Sequence, residues 1–80
     1  MAVTIVLLGS LGDLADGVTR EAAGPLDWAG LLEAVGPEVA ARLQEERVHV
    51  ACEGKVLADK TTLLAKDGEE VALLPPVSGG

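Results

Sequence analysis

The sequence predicts an α+β domain, a mixed sheet of about five strands packed against helices with an extended arm at the C-terminus. Three observations point there. Apolar, strand-like runs lie at both ends of the chain, at residues 3–8 and 70–74. Between them the apolar spacing changes to a helical period. Two turn signals, Glu53-Gly54 and Asp67-Gly68, then cut the second half into strand-sized pieces.

Taken in order, residues 3–8 (Val-Thr-Ile-Val-Leu-Leu) are nearly continuous apolar and β-branched, the pattern of a central strand covered on both faces. Residues 9–17 form a connector with three glycines, in which Leu11 and Leu14 are spaced for one short helical turn. In residues 18–22, Val18, Arg20 and Ala22 alternate with Thr19 and Glu21, which reads as an edge strand. Gly24-Pro25 punctuates the chain. A helix follows, with Asp27 as N-cap and Trp28, Leu31, Leu32 and Val35 on its inner face. Gly36 suits the left-handed position after it, and Pro37 the first position of a second helix over 37–45 that turns Val39, Ala40 and Leu43 inward. Val48, Val50 and Cys52 alternate with His49, Ala51 and Glu53 as a strand, and residues 55–57 fold back on it as a hairpin arm. Residues 59–66 are a polar crossover with Leu63 and Leu64 tucked in, and residues 70–74 are the last strand.

Composition narrows the function. With 6 basic and 13 acidic residues in 80, the net charge of -7 repels a phosphate backbone and disfavours nucleic-acid binding. Hydrophobic residues at 49% are too many for a disordered acidic chain. One cysteine allows no intrachain disulfide. The single aromatic residue, Trp28, leaves a core of Val, Leu, Ile and Ala. The first apolar run is too short for a membrane helix or a signal peptide, which sets the expectation of a cytoplasmic protein.

The chain ends Leu74-Pro75-Pro76-Val77-Ser78-Gly79-Gly80. Two prolines cannot donate to a ladder, so the sheet stops there, and they favour a stiff extended geometry. The boundaries expected are a folded domain over residues 1–74 and a flexible diglycine tail over 75–80. Four residues after the prolines can reach about 13 Å. Gly79 and Gly80 carry no Cβ, so their backbone fits a channel too narrow for a side chain. Their carboxylate is an anion at neutral pH. A carboxylate on a slim arm can attack an activated phosphate, become an acyl adenylate, and accept sulfur or an amine. That chemistry needs an ATP-using partner. Fraying chain is the plain alternative for any terminal diglycine.

Residues 67–80, from Asp67-Gly68 through Pro-Pro-Val-Ser-Gly-Gly, resemble the C-terminal signature of the MoaD family, the small subunits of molybdopterin synthase. The proline pair sets this ending apart from that of the thiamine sulfur carrier ThiS, which shares the diglycine. The resemblance implies a β-grasp, ubiquitin-like fold. It implies that a ubiquitin-activating-like, MoeB-type enzyme uses ATP to adenylate Gly80, with no cofactor bound to the carrier itself. The adenylate becomes a thiocarboxylate, and a MoaE-type large subunit takes the tail into its active site, where sulfur passes to cyclic pyranopterin monophosphate in molybdenum cofactor biosynthesis. Gly80 then carries the sulfur, while Gly79, Ser78, Val77, Pro76 and Pro75 thread the channel. The chain is thus a protein substrate and co-subunit, with no membrane or nucleic-acid partner. By position, Leu8 and Leu74 match residues that are often Phe in relatives, and Val56 is a third member of the implied partner interface. A ubiquitin-like modifier that forms isopeptide bonds, or another sulfur carrier of MoaD or ThiS type, is the alternative that uses the same activation.

Other residues carry less. His49 and Cys52 are the only His and Cys, too few for a zinc site. Three apart in a strand, they point to opposite faces and cannot form a nucleophile pair. Cys52 reads as a small core residue and His49 as a surface strand residue. Asp13, Asp16, Glu45, Glu46, Glu69 and Glu70 sit at turns and helix ends as solvated surface, with a secondary role in steering toward a basic partner. Glycines 9, 12 and 17 make no phosphate loop, because no GKS or GKT follows.

Overall fold

The structure is a computed structural model and describes residues 2–14 and 17–76. Its elements are β1 (Val3–Leu7), α1 (Ser10–Leu14), β2 (Thr19–Ala22), β3 (Leu26–Asp27), α2 (Trp28–Val35), α3 (Pro37–Leu43), β4 (His49–Cys52), β5 (Lys55–Val56), a 3-10 turn (Lys60–Thr62), β6 (Leu64–Ala65) and β7 (Glu70–Leu74). The main sheet has five strands in the order β2-β1-β7-β4-β5. β1 and β7, the first and last strands, run parallel at its centre, and the other pairings are antiparallel. This is the mixed α+β sheet that the alternation and helical spacing predict.

One face of the sheet is the core. Val3, Ile5 and Leu7 of β1, Val71 and Leu73 of β7, and Val50 of β4 meet Leu31 and Val35 of α2 and Val39 and Leu43 of α3. Burying each such side chain stabilises by roughly 1.5–3 kcal/mol. Among the described residues, no helix covers the other face. Thr4 and Val6 of β1 are therefore only half-buried, and the expectation that this strand is covered on both faces is corrected.

Local chemistry sets the element ends. Asp27 caps α2, its carboxylate accepting the Gly30 N–H at 2.8 Å. Gly36 takes φ 86, and Pro37 opens α3. Glu53 (φ 50) and Gly54 (φ 82) supply the two positive φ angles of a tight hairpin turn. α3 stops at Leu43, two residues short of the expected end, because the chain turns there and Lys60 Nζ donates to the carbonyls of Glu45 and Val48. That lysine ties the 3-10 turn to the segment between α3 and β4.

β3 and β6 form a second, two-stranded sheet that sequence alone did not announce. Leu63 is buried, but Leu64 lies in β6 with its side chain exposed, which corrects the expectation that both leucines tuck in. The same region holds the Asp67-Gly68 turn against the rest of the chain. Asp67 accepts the Gly24 N–H at 2.7 Å, and the Gly68 N–H reaches the Ala2 carbonyl at 2.9 Å.

Gly24 has no room for a side chain: a Cβ there would lie 2.6 Å from Asp67 Oδ1 and 2.7 Å from the Asp67 backbone nitrogen. Gly24→Ala is expected to lower unfolding free energy by about 1–3 kcal/mol, measured by urea denaturation. A second expectation concerns Asp59, which caps the 3-10 turn. Its carboxylate accepts from the Thr61 hydroxyl at 2.6 Å and the Thr61 N–H at 3.0 Å. The hydroxyl first, and the amide second, hold its pKa below the ordinary value. The stabilisation is complete above the unfolded value of about 3.9 and is lost as pH falls through the lower folded midpoint. Thr61→Val should raise that midpoint, read by NMR titration of the Asp59 carboxyl.

Candidate functional site

The tail leaves from the middle of the sheet. β7 is the third of five strands, and Pro75 and Pro76 follow its last residue directly. Pro75 is half-buried and Pro76 exposed. The expected carrier residue Gly80, and the threading residues Gly79, Ser78 and Val77, lie outside the described residues.

The open face is built by register. Val6 pairs with Ala72, Ala72 with Ala51, and Ala51 with Val56, so one row of small apolar side chains crosses four strands. Leu74 stands opposite His49 in the next row toward the tail. Leu8 follows β1, and its N–H donates to the Leu73 carbonyl at 3.2 Å. Leu8 is 41% exposed and Val56 58%, while Leu74 is half-buried. Strand alternation puts Leu8, Leu74 and Val56 on this one face, away from the helices. The expectation based on residue types thus finds three residues on a common surface. It missed half-buried Val6 and Ala72 and the buried Ala51, which complete the row. The signal for those three is the pairing register, which no single strand reveals.

The face is charged at its far end. Thr4 is flanked in register by Glu21 and Glu70, and the Glu53 carboxylate accepts the Glu70 N–H at 2.8 Å. Among the described residues, no lysine or arginine occupies the open-face positions of β1, β2, β4 or β7. Apolar contact is thus offered near the tail and negative charge away from it.

Beside the tail base, on the helical side, lies a groove of about 370 Å³. Leu11 and Leu14 of α1, Val48 and Pro76 form its apolar lining, and Asp13, Arg42 and Glu45 its polar rim. Arg42 and Glu45 make an exposed ion pair at 3.4 Å, of small energetic weight.

The strand places His49 and Cys52 as alternation requires. His49 is opposite Leu74 on the open face, and Cys52 is opposite Val71 on the core side. Cys52 is half-buried against the core, and burial, followed by the nearby Glu69 and Glu53 carboxylates, pushes its thiol pKa up. That favours the unreactive thiol over the thiolate. Among the described residues no group of three His, Cys, Asp or Glu could hold a metal, and no helix is long and apolar enough to cross a membrane.

A five-stranded mixed sheet with helices on one face and a proline pair after its middle strand agrees with the comparison to known families, where the match runs over residues 5–80. The chain belongs to the ThiS family. Its fold is the β-grasp, ubiquitin-like one that its tail implied. Solved structures agree. SAMP1 from Haloferax volcanii superposes with a TM-score of 0.69 at 25% identity, each chain covered in full. Small archaeal modifier protein 1 from Methanosarcina acetivorans gives 0.75 at 21%, covering 99% of this chain and 96% of that one. A complex of subunits 1 and 2 of the molybdopterin-converting factor from Helicobacter pylori gives 0.63 at 23%, with both chains covered in full. No curated protein matches the chain. Names of modifiers and of molybdopterin proteins thus occur together among the structural neighbours, so membership of the ThiS family holds across the sulfur-carrier and modifier readings.

Proposed function

We propose that this ThiS-family chain is the sulfur carrier subunit of molybdopterin synthase. One observation carries the reading: the middle strand of the sheet passes straight into Pro75-Pro76 beside an uncovered apolar face, with two residues between the prolines and a terminal diglycine. A stiff exit and a Cβ-free terminus suit delivery of a carboxylate into a narrow site, and the open face suits the body that delivers it. The Helicobacter pylori neighbour, a complex of two molybdopterin-converting factor subunits, supports a large-subunit partner of MoaE type.

The chemistry follows from the acid. On a MoeB-type enzyme, a terminal carboxylate oxygen of Gly80 attacks the α-phosphorus of ATP and pyrophosphate leaves. A sulfur nucleophile at the oxidation level of sulfide then attacks the acyl carbon and expels AMP. The resulting thiocarboxylate enters the large subunit and gives its sulfur to cyclic pyranopterin monophosphate. In each step the carrier supplies the reacting terminus and its partner supplies the active site, so the carrier acts in the cytoplasm as co-subunit and substrate. The second reading is a ubiquitin-like modifier, in which a lysine amine takes the place of sulfur. The SAMP1 neighbour, covered end to end at 25% identity, favours keeping it.

Two outcomes are expected. Incubated with its activating enzyme, ATP and a sulfur donor, the chain should gain the oxygen-to-sulfur mass difference, while Gly80→Ala folds normally and gains little. Unchanged mass of the parent chain beside a reacting control carrier would count against the carrier reading, and diglycine remnants on partner lysines would favour the modifier. Second, Val56→Asp and Leu8→Asp should each leave folding stability within about 0.5 kcal/mol, because both side chains are exposed. Each should weaken binding to the large subunit at least on the order of tenfold, measured by calorimetry.

A further inference from the structure

Gly9 has no part in phosphate binding, yet it occupies a distinctive place. It stands at the corner between β1 and α1 with φ +54, and a Cβ built on it would lie 3.2 Å from Cγ of Pro75. That is closer than a side-chain carbon normally sits to a neighbour, so one partner has to give. The corner is held by three hydrogen bonds: Leu8 N–H to Leu73 O at 3.2 Å, Leu11 N–H to Leu8 O at 3.2 Å, and Gly12 N–H to Gly9 O at 3.1 Å. Leu11, one turn on, is buried in the core. Pro75 is held less firmly. It has no N–H to donate, it is past the last paired residue of β7, and it is half-buried. The side that gives is therefore the tail base.

We infer that Gly9 is a positioning residue, a Cβ-free seat for Pro75 that sets the direction in which the chain leaves the sheet. Pro76, next along, lines the groove with Leu11, Leu14 and Val48. A shift of Pro75 by a few tenths of an ångström takes Pro76 with it and changes the direction in which the chain leaves the sheet. Misplacing a reacting group by about 1 Å can cost a hundredfold in rate. The consequence for activation rests on the carrier reading above; the seat itself does not.

The test separates the two. Asparagine tolerates the left-handed backbone of Gly9 but carries the Cβ that meets Pro75. In the free chain, Gly9→Asn should lose NOEs from the Pro76 ring to the Leu14 and Val48 methyls while the core spectrum stays in place. With the activating enzyme and ATP, its kcat/KM for pyrophosphate release should fall on the order of ten- to a hundredfold. Pro75→Ala removes the atom that the new Cβ meets, so in that background Gly9→Asn should cost almost nothing further in either measurement. Unchanged NOEs in a folded Gly9→Asn chain would overturn the seat. So would an equal cost with either residue at position 75, or unfolding of Gly9→Asn in both backgrounds, since glycine would then serve the corner alone. A parent chain that is not adenylated at all sinks the carrier reading and leaves the NOE comparison to decide the seat.

Discussion

The parallel pairing of β1 with β7 is the constraint on which the rest depends. Thr4, Ile5, Val6 and Leu7 stand in register with Glu70, Ala72 and their neighbours, so the two ends of the chain lie side by side at the centre of the sheet. A parallel pair cannot be closed by a tight turn. The whole intervening chain, with α2 and α3, becomes the crossover, and it has to pack on one face. That choice leaves the opposite face uncovered. It also brings the chain out at the middle of the sheet rather than at an edge, against the β1–α1 corner where Gly9 admits Pro75.

The same register assigns two jobs to alternate residues. Val71 and Leu73 bury themselves against the helices, while Ala72 and Leu74 belong to the open face. A one-residue slip would exchange the sets, exposing the core side chains and burying those of the open face. The core and the composition of the open face are thus fixed by a single geometric fact. The turn at Asp67-Gly68 guards it, because its bonds to Gly24 and Ala2 anchor the start of β7 beside the start of β1.

Much of this was legible in the residues, and the exceptions have physical causes. The strands at each end, the Asp27 cap, the Gly36-Pro37 break and the Glu53-Gly54 hairpin each announce themselves by period or by backbone demand. β3 and β6 did not, because two residues are too few to show alternation, and Leu64 was misread for the same reason. The apolar run of β1 suggested two covered faces, since composition does not say which side the helices choose. Lys60 falls in the polar crossover, and its two carbonyl partners on the segment before β4 come from tertiary structure alone. In the candidate site, Leu8, Leu74 and Val56 came from family resemblance, whereas Val6, Ala72 and Ala51 required the pairing. Gly9 carried a visible signal, glycine directly after a strand, but its partner at position 75 is distant in sequence.

On the carrier reading, the modest size of the open face fits a molecule that changes partners. Its central row is Val6, Ala72, Ala51 and Val56, two of them alanines, and its acidic end at Glu21 and Glu70 is exposed. Short side chains supply little apolar area, and rim charges govern encounter more than residence time. On the carrier reading, one surface meets an activating enzyme first and a large subunit second, so a very slow dissociation from either would stall the cycle. Specificity then comes from geometry: a shallow apolar row, an acidic end that orients the body, and a stiff proline exit seated on Gly9. On that reading, a partner that satisfies the first two meets Pro75-Pro76 in a set direction.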